Sequence, residues 1–113
     1  MAIPTFKSSA VALSSTNRTT IYTTPSLSRA VVTSVMIANV DASSAATIKL
    51  EWYDASATTY FALTGAYSVA ANGYLIISDS PMYFDTGDLL TATAGAADDL
   101  TVTAFVEEYS TGF

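Results

Sequence analysis

Apolar side chains recur at every second position in several stretches of this chain, and this period limits its folds more than any other feature. Between residues 47 and 53, Ile48, Leu50 and Trp52 alternate with more polar neighbours, and residues 100 to 107 repeat the pattern. Successive side chains of a strand point to opposite faces of its sheet, so both stretches predict half-buried strands. Apolar residues nowhere recur at three- and four-residue steps for long enough to predict a helix. The chain is therefore predicted to be nearly all β.

The other predicted strands are shorter or more continuously apolar. Residues 29 to 40, "RAVVTSVMIANV", are rich in β-branched side chains and predict a central strand covered on both faces. Further strands are predicted at residues 20–23, 59–63, 74–77 and 89–94, separated by turn-forming segments such as Asn72-Gly73 and Asp85-Thr86-Gly87. About seven or eight short antiparallel strands predict a single β-sandwich or jelly-roll-like domain. A small closed barrel is the alternative fold.

The first 16 residues differ in character from the rest of the chain. They are rich in Ser and Ala and carry isolated large apolar side chains at Ile3, Phe6, Val11 and Leu13. We expect residues 1–16 to form an N-terminal arm that is ordered against a neighbouring subunit, and residues 17–113 to form the sandwich. The alternative is that this segment is the first edge strand of the domain. The four apolar residues are candidate partner contacts.

The charge balance narrows the range of partners. Ten acidic residues and four basic ones give a net charge of −6, which on average repels a phosphate backbone or an anionic membrane surface. Neither nucleic acid nor a membrane is predicted as a partner. Only 12% of the residues are charged, whereas 14 are Ser and 17 are Thr. A β protein with so few charges has little protection against edge pairing, so we expect a homo-oligomer, for example a trimer, or a component of a larger assembly.

The residue types needed for many reactions are missing. The sequence has no His and no Cys, so a Ser-His-Asp relay, a thiol nucleophile and thiolate metal sites are excluded. The stretch "YFDTGDLL" at 83 to 90 contains the Asp-Thr-Gly of aspartic proteases, but only 26 residues follow Gly87. A turn in which Gly87 supplies a positive φ is the simpler interpretation. Acidic loops around Asp79, Asp85, Asp88 and 98–99 match no EF-hand spacing. We predict no catalytic residues, no metal and no cofactor.

Aromatic residues provide the remaining candidates for a binding site. Trp52 shares its face with aliphatic residues, so it is predicted to anchor the core. Tyr53 lies on the opposite face and Tyr60 in the next predicted strand, and both are candidate surface contacts. Exposed rings of this kind also suit a glycan-binding module, which is an alternative function.

Four stretches together resemble small virion structural proteins of tailed bacteriophages. They are "IYTTP" at 21 to 25, "VVTSVMIANVD" at 31 to 41, "IKLEWYDAS" at 48 to 56 and "FDTGDLLTATAGAADDLTVTAFVEE" at 84 to 108. In that group a Tyr-Thr-x-Pro turn leads into an apolar strand, followed by a Trp-Tyr-Asp strand end, a Gly-Asp turn and a final strand. The resemblance covers residues 20 to 108 and leaves the predicted arm outside.

The resemblance implies a β-sandwich or jelly-roll subunit of the phage particle and carries over no catalytic residue. The expected function is capsid decoration or cement, in which the chain binds the major capsid protein on the capsid surface and stabilises the shell. A structural role at the neck or tail is the alternative within the same particle.

Overall fold

A computed structural model describes residues 3–79 and 81–110 and contains ten strands within them. The strands are β1 (Thr5–Ala12), β2 (Thr19–Thr23), β3 (Ser28–Asn39), β4 (Ala46–Asp54), β5 (Thr59–Ala62), β6 (Tyr67–Val69), β7 (Tyr74–Ile77), β8 (Met82–Phe84), β9 (Leu89–Ala94) and β10 (Leu100–Ser110). No helix in the described residues is long and apolar enough to cross a membrane.

The strands form two antiparallel sheets. Over the described residues, sheet A has the order β1-β10-β3-β7, with β8 also paired to β3, and sheet B has the order β2-β9-β4-β5, with β6 also paired to β4. One core cluster draws its side chains from both sheets, so the sheets pack face to face. The predicted all-β sandwich is confirmed.

Burial alternates along the strands with the same two-residue period as the apolar residues of the sequence. On β4, Ile48 and Leu50 are fully buried, and on β10 the even-numbered residues from Leu100 to Val106 fill the core. Each sheet therefore presents one apolar face to the other. The predicted boundaries at 74–77 and 89–94 match β7 and β9, and the other predicted strands are correct to within a few residues.

The prediction for residues 29–40 needs a correction. β3 is central, with β10 on one side and β7 and β8 on the other. Its inward side chains, such as Val32 and Val35, are buried, but Val31 and Met36 on the other face are only half-buried. The expectation of a strand covered on both faces is wrong, because in the described part of the chain no third layer lies over this face of sheet A.

The segment for which the sequence favours an arm contains an edge strand. β1 pairs with β10 in an unbroken antiparallel register from Thr5↔Glu108 to Ala12↔Thr101. Leu13, which follows it, is 1% exposed and belongs to the core. Within one chain, the segment thus adopts the alternative that the sequence left open. A clamp onto a neighbouring subunit stays a prediction.

Strands β6 and β8 were not predicted. Each has three residues, which is too short for an alternation to stand out. Both are held by pairing with a longer strand, β6 with β4 and β8 with β3.

Candidate assembly surface

The outer face of sheet A forms an apolar surface that we call the A face. Its side chains lie in four rows across the strands, as the pairing register defines them. The rows are Tyr74-Ala38-Thr101-Ala12, Ile76-Met36-Thr103-Ala10, Ser34-Phe105-Ser8 and Tyr83-Val31-Glu107-Phe6. The register continues on the same face with Tyr109 and Arg29, so the charges lie in the fourth row, at Glu107, and beyond it, at Arg29, and the first three rows are uncharged.

Large side chains on the A face are strongly exposed. The exposed fractions are 75% for Phe6, 75% for Tyr83, 66% for Tyr74, 51% for Ile76 and 38% for Phe105. A large aromatic side chain carries about 150–250 Å² of surface, so these five expose on the order of 500 Å². The largest apolar patch of a typical monomer is roughly 300–600 Å² and is often functional. The A face is therefore large enough for a functional contact.

A β-bulge shapes the middle of the A face. The register between β10 and β3 shifts between Phe105 and Val106, and the extra residue is Thr33. The Thr33 hydroxyl donates a hydrogen bond to the carbonyl of Phe105 at 3.0 Å. Bulges re-aim side chains and increase the local twist. Phe6, Phe105 and Thr33 line a shallow depression beside this bulge.

The structure separates the six predicted contact residues. Ile3 and Phe6 are exposed, with Phe6 on the A face. Val11 packs against the core and Leu13 is buried within it. Leu13 therefore cannot contact a partner in this conformation, because its period-two phase places it among the inward side chains.

Tyr53 and Tyr60 come together on the outer face of sheet B. They are register partners on β4 and β5, with ring centroids 4.7 Å apart. The Arg18 guanidinium lies 3.7 Å from the centroid of Tyr60, and its Nε donates to Glu51 Oε1 at 3.0 Å. The hydrogen bond to Glu51 raises the pKa of Arg18 above its ordinary value. The ring of Tyr60 is thus already in contact with a cation and with a second ring.

A polar cluster that the sequence did not reveal holds the β1 edge. Glu108 lies among the inward residues of β10 and is 8% exposed. It accepts a hydrogen bond from the Tyr22 hydroxyl on β2 and lies 2.9 Å from the Lys7 ammonium on β1. The cluster thus joins three strands across both sheets. The two-residue period of β10 could have identified Glu108 as an inward residue, because it continues the series from Leu100 to Val106. The predicted strand, however, ended one residue before it.

Burial raises the pKa of both Tyr22 and Glu108, but their hydrogen bonds add to this effect at Tyr22 and oppose it at Glu108. Burial, and then the hydrogen bond to Glu108, raise the pKa of Tyr22 well above its ordinary value. Burial alone would raise the pKa of Glu108, but hydrogen bonds from Tyr22 and Lys7 and the Lys7 charge outweigh it and lower that pKa. The cluster therefore favours an ionised Glu108 beside a neutral Tyr22.

The Asp-Thr-Gly stretch is a turn between β8 and β9. Gly87 has the predicted positive φ, at 86°, and Asp85 accepts a hydrogen bond from the Thr86 amide. Asp88 is buried, and its carboxylate accepts from the Asp85 and Ala55 amides and the Trp52 indole. These contacts give both carboxylates a structural role. In the described residues, no three His, Cys, Asp or Glu side chains cluster as metal ligands would.

Comparison with known proteins shows the fold of viral capsid structures. No family model matches the chain, and no curated protein sequence matches it. The capsid structure of Helicobacter pylori bacteriophage KHP30 matches with a TM-score of 0.57 and 12% identity, over 97% of this chain and 90% of that one. The virus-like particle of the Macrobrachium rosenbergii extra small virus matches with a TM-score of 0.55 and 16% identity, over 99% and 81%. At these identities the likeness establishes the β-sandwich fold alone.

The solved structure of a carbohydrate-binding module also aligns with this chain. The xylan-binding domain of Paenibacillus barcinonensis Xyn10C aligns over 100% of this chain and 86% of that one, with 12% identity and a TM-score of 0.46. That score is too low to support an argument about this chain.

Proposed function

We propose that the chain is a non-enzymatic structural protein of a tailed-phage particle that decorates and cements the capsid. In this proposal the A face binds the major capsid protein and helps to stabilise the shell. The observation that carries the proposal is the breadth of this apolar surface, three of whose four rows are uncharged. The fold shared with two capsid structures over nearly the whole chain supports it.

Binding by this mechanism depends on the surface area buried against the capsid and not on a reactive site. A standard interface removes roughly 800 Å² from each partner, and the five large side chains of the A face alone supply on the order of 500 Å². Apolar burial contributes about 25 cal/mol per Å², and many copies on one shell add their effects. The absence of like charges over the first three rows removes an electrostatic cost of docking.

A charge placed on the A face tests this proposal. Ile76→Lys puts an ammonium into the second row, and Ser68→Lys puts the same charge on an exposed strand residue of sheet B. The measurement is co-sedimentation of each purified variant with phage heads that lack the protein. We expect wild type and Ser68→Lys to bind alike and Ile76→Lys to bind at least tenfold more weakly. Equal binding of all three proteins would contradict a role for the A face.

The neck and the tail are the alternative positions on the particle. Immunogold labelling of intact particles distinguishes them, since the proposal expects label over the head surface. Label confined to the neck or the tail would support the alternative.

The N-terminal segment contributes a second proposed contact. Ile3 is 82% exposed and Phe6 extends the fourth row of the A face, so both can contact a neighbouring subunit. Deletion of residues 1–16 is a poor test, because it also removes the buried Leu13 and the Lys7 ion pair. Phe6→Ser keeps the strand, and we expect it to weaken binding to heads without changing the free energy of unfolding. Unchanged binding would exclude Phe6 from the contact.

A glycan-binding module remains the competing function, and the Tyr53–Tyr60 pair is its best site. Arg18 and Tyr53 both contact the Tyr60 ring, so a sugar that stacks on this ring would have to compete with one of these contacts. Tyr60→Ala separates the two functions. Loss of glycan retention with normal binding to heads would favour the module, whereas the proposal expects no change in either measurement.

A further inference from the structure

Strand β1 leaves one side of its backbone open. It ends the order of sheet A, so among the described strands only β10 pairs with it. The Leu13 amide donates to Leu100 and its carbonyl accepts from Asp98, so the backbone of Leu13 is directed towards β10. Backbone direction alternates along a strand, as the side chains do. The amides and carbonyls of Phe6, Ser8, Ala10 and Ala12 are therefore directed away from β10.

β1 has few of the features that protect an edge strand. Proteins block such edges with proline, bulges, short strands or outward charges. Residues 5–12 contain no proline, and β1 runs for eight residues without a register shift. Lys7 is the only charged residue in β1, and its ammonium is paired with Glu108 on the inner side. This edge can accept another strand.

We propose that a second copy of this chain pairs with it through antiparallel β1 strands, about a two-fold axis at Ser9. In this register Phe6 faces Ala12 of the second copy, and Ser8 faces Ala10. With the axis at Ser8, Ala12 has no partner within the second β1 strand. With the axis at Ala10, Phe6 has none. The Ser9 register alone matches all four, and it joins two copies of sheet A into one continuous sheet.

The side chains fit a second copy in this register. Ser8, Ser9 and Ala10 at the centre are small and uncharged, so two strands can approach closely. Lys7 lies opposite Val11 of the second copy, so the two Lys7 side chains do not face each other across the axis. The net charge of −6 on each chain therefore adds no like-charge pair between the two β1 strands. The A faces of both copies lie on the same side of the joined sheet, so pairing doubles the apolar surface and leaves it exposed. Self-pairing does not depend on capsid binding.

A single cysteine tests the axis, because the natural chain has none. Paired residues without mutual hydrogen bonds have Cα atoms about 4.5 Å apart, which suits a disulfide. Ser9→Cys should therefore form a covalent dimer under mild oxidation with copper phenanthroline. Ala12→Cys is the matched control, since its two copies would be roughly 20 Å apart and should not cross-link. Ser9→Ala checks by circular dichroism that loss of the Ser9 hydrogen bond to Ile21 leaves the fold intact.

Like and opposite charges introduced across the axis test the register independently. Ser8→Lys with Ala10→Lys places two lysine pairs across the axis, and we expect the dissociation constant of the dimer to rise roughly tenfold or more. Ser8→Glu with Ala10→Lys places opposite charges at the same positions and should keep the dimer. Analytical ultracentrifugation measures both variants.

Several results would overturn the pairing. They are a wild-type chain that is monomeric or trimeric at every concentration tested, equal cross-linking of Ser9→Cys and Ala12→Cys, and equal dissociation of the two charge variants. The pairing is measured in solution without heads, whereas the capsid proposal is tested by Ile76→Lys on β7, at the opposite edge of sheet A from β1, so the two proposals can fail separately.

Discussion

Asp85 and Asp88 lie three residues apart in one turn, yet their carboxylates have different surroundings. Asp85 is exposed and lies 3.5 Å from Arg29 Nε, whereas Asp88 is buried beneath three N–H donors. Sequence alone identified the turn and the positive φ at Gly87. It could not identify the donors at Ala55 and Trp52, because they come from a strand end more than 30 residues away.

Replacing Asp88 tests this assignment. Asp88→Ala leaves buried N–H groups without an acceptor, so we expect the free energy of unfolding to fall by about 2–4 kcal/mol. Urea denaturation followed by Trp52 fluorescence measures the change. Asp85→Ala is the control and should cost less than about 1 kcal/mol, because its ion pair is exposed. Equal losses would mean that Asp88 is not the residue that organises the turn.

Glu108 should give the fold a measurable dependence on pH. Its pKa is lowered in the folded state, so its stabilising contribution is present above the ordinary value of 4.5 and is lost as the pH falls through the folded pKa. Glu108→Gln removes the charge and should cost about 1–3 kcal/mol at neutral pH. The difference between wild type and variant should shrink as the pH is lowered below about 4.5. A difference that stays constant from pH 7 to pH 3 would contradict this account.

Trp52 shows what the phase of a strand can and cannot predict. Its phase with Ile48 and Leu50 correctly placed it on the inner face of β4, where it packs against the core. It is nevertheless only half-buried, because it lies near the end of the strand, where its ring meets Phe61 at 5.4 Å between centroids. Its exposure depends on which strand covers that end, and no local pattern contains this information.

Among the elements, the strands of four or more residues other than β1 were predicted, whereas the two three-residue strands were not. β3, β4, β9 and β10 carry enough alternating or β-branched residues to be recognised. β6 and β8 owe their extended form to a neighbouring strand. The first segment was ambiguous because Ser and Ala in β1 suit both an edge strand and a mobile arm.

The turn into β9 depends on one glycine. Gly87 has a φ of 86°, a conformation in which an L side chain is strained, so Gly87→Ala should destabilise the fold by about 1 kcal/mol or more. A Cβ added at Gly65 would meet nothing within 4 Å, so Gly65→Ala is the matched control and should be nearly neutral. Thermal melting of both variants measures the difference. A neutral Gly87→Ala would mean that the turn readily adopts another conformation.

At the scale of the whole molecule, the sequence indicated association without showing where it occurs. Low charge and small side chains predicted an assembling protein. The A face itself could not be predicted, because Tyr74, Ile76 and Tyr83 lie on separate short strands and Phe6 lies on an ambiguous segment. Only the register across β1, β10, β3, β7 and β8 brings these side chains to one surface.

In the proposed function, this chain is a structural component of the phage capsid. Its copy number in purified particles tests that claim most directly, measured by quantitative mass spectrometry against the major capsid protein. Decoration of the shell predicts a number of copies comparable to that of the major capsid protein. Absence of the chain from purified particles, or only a few copies in each, would contradict the claim.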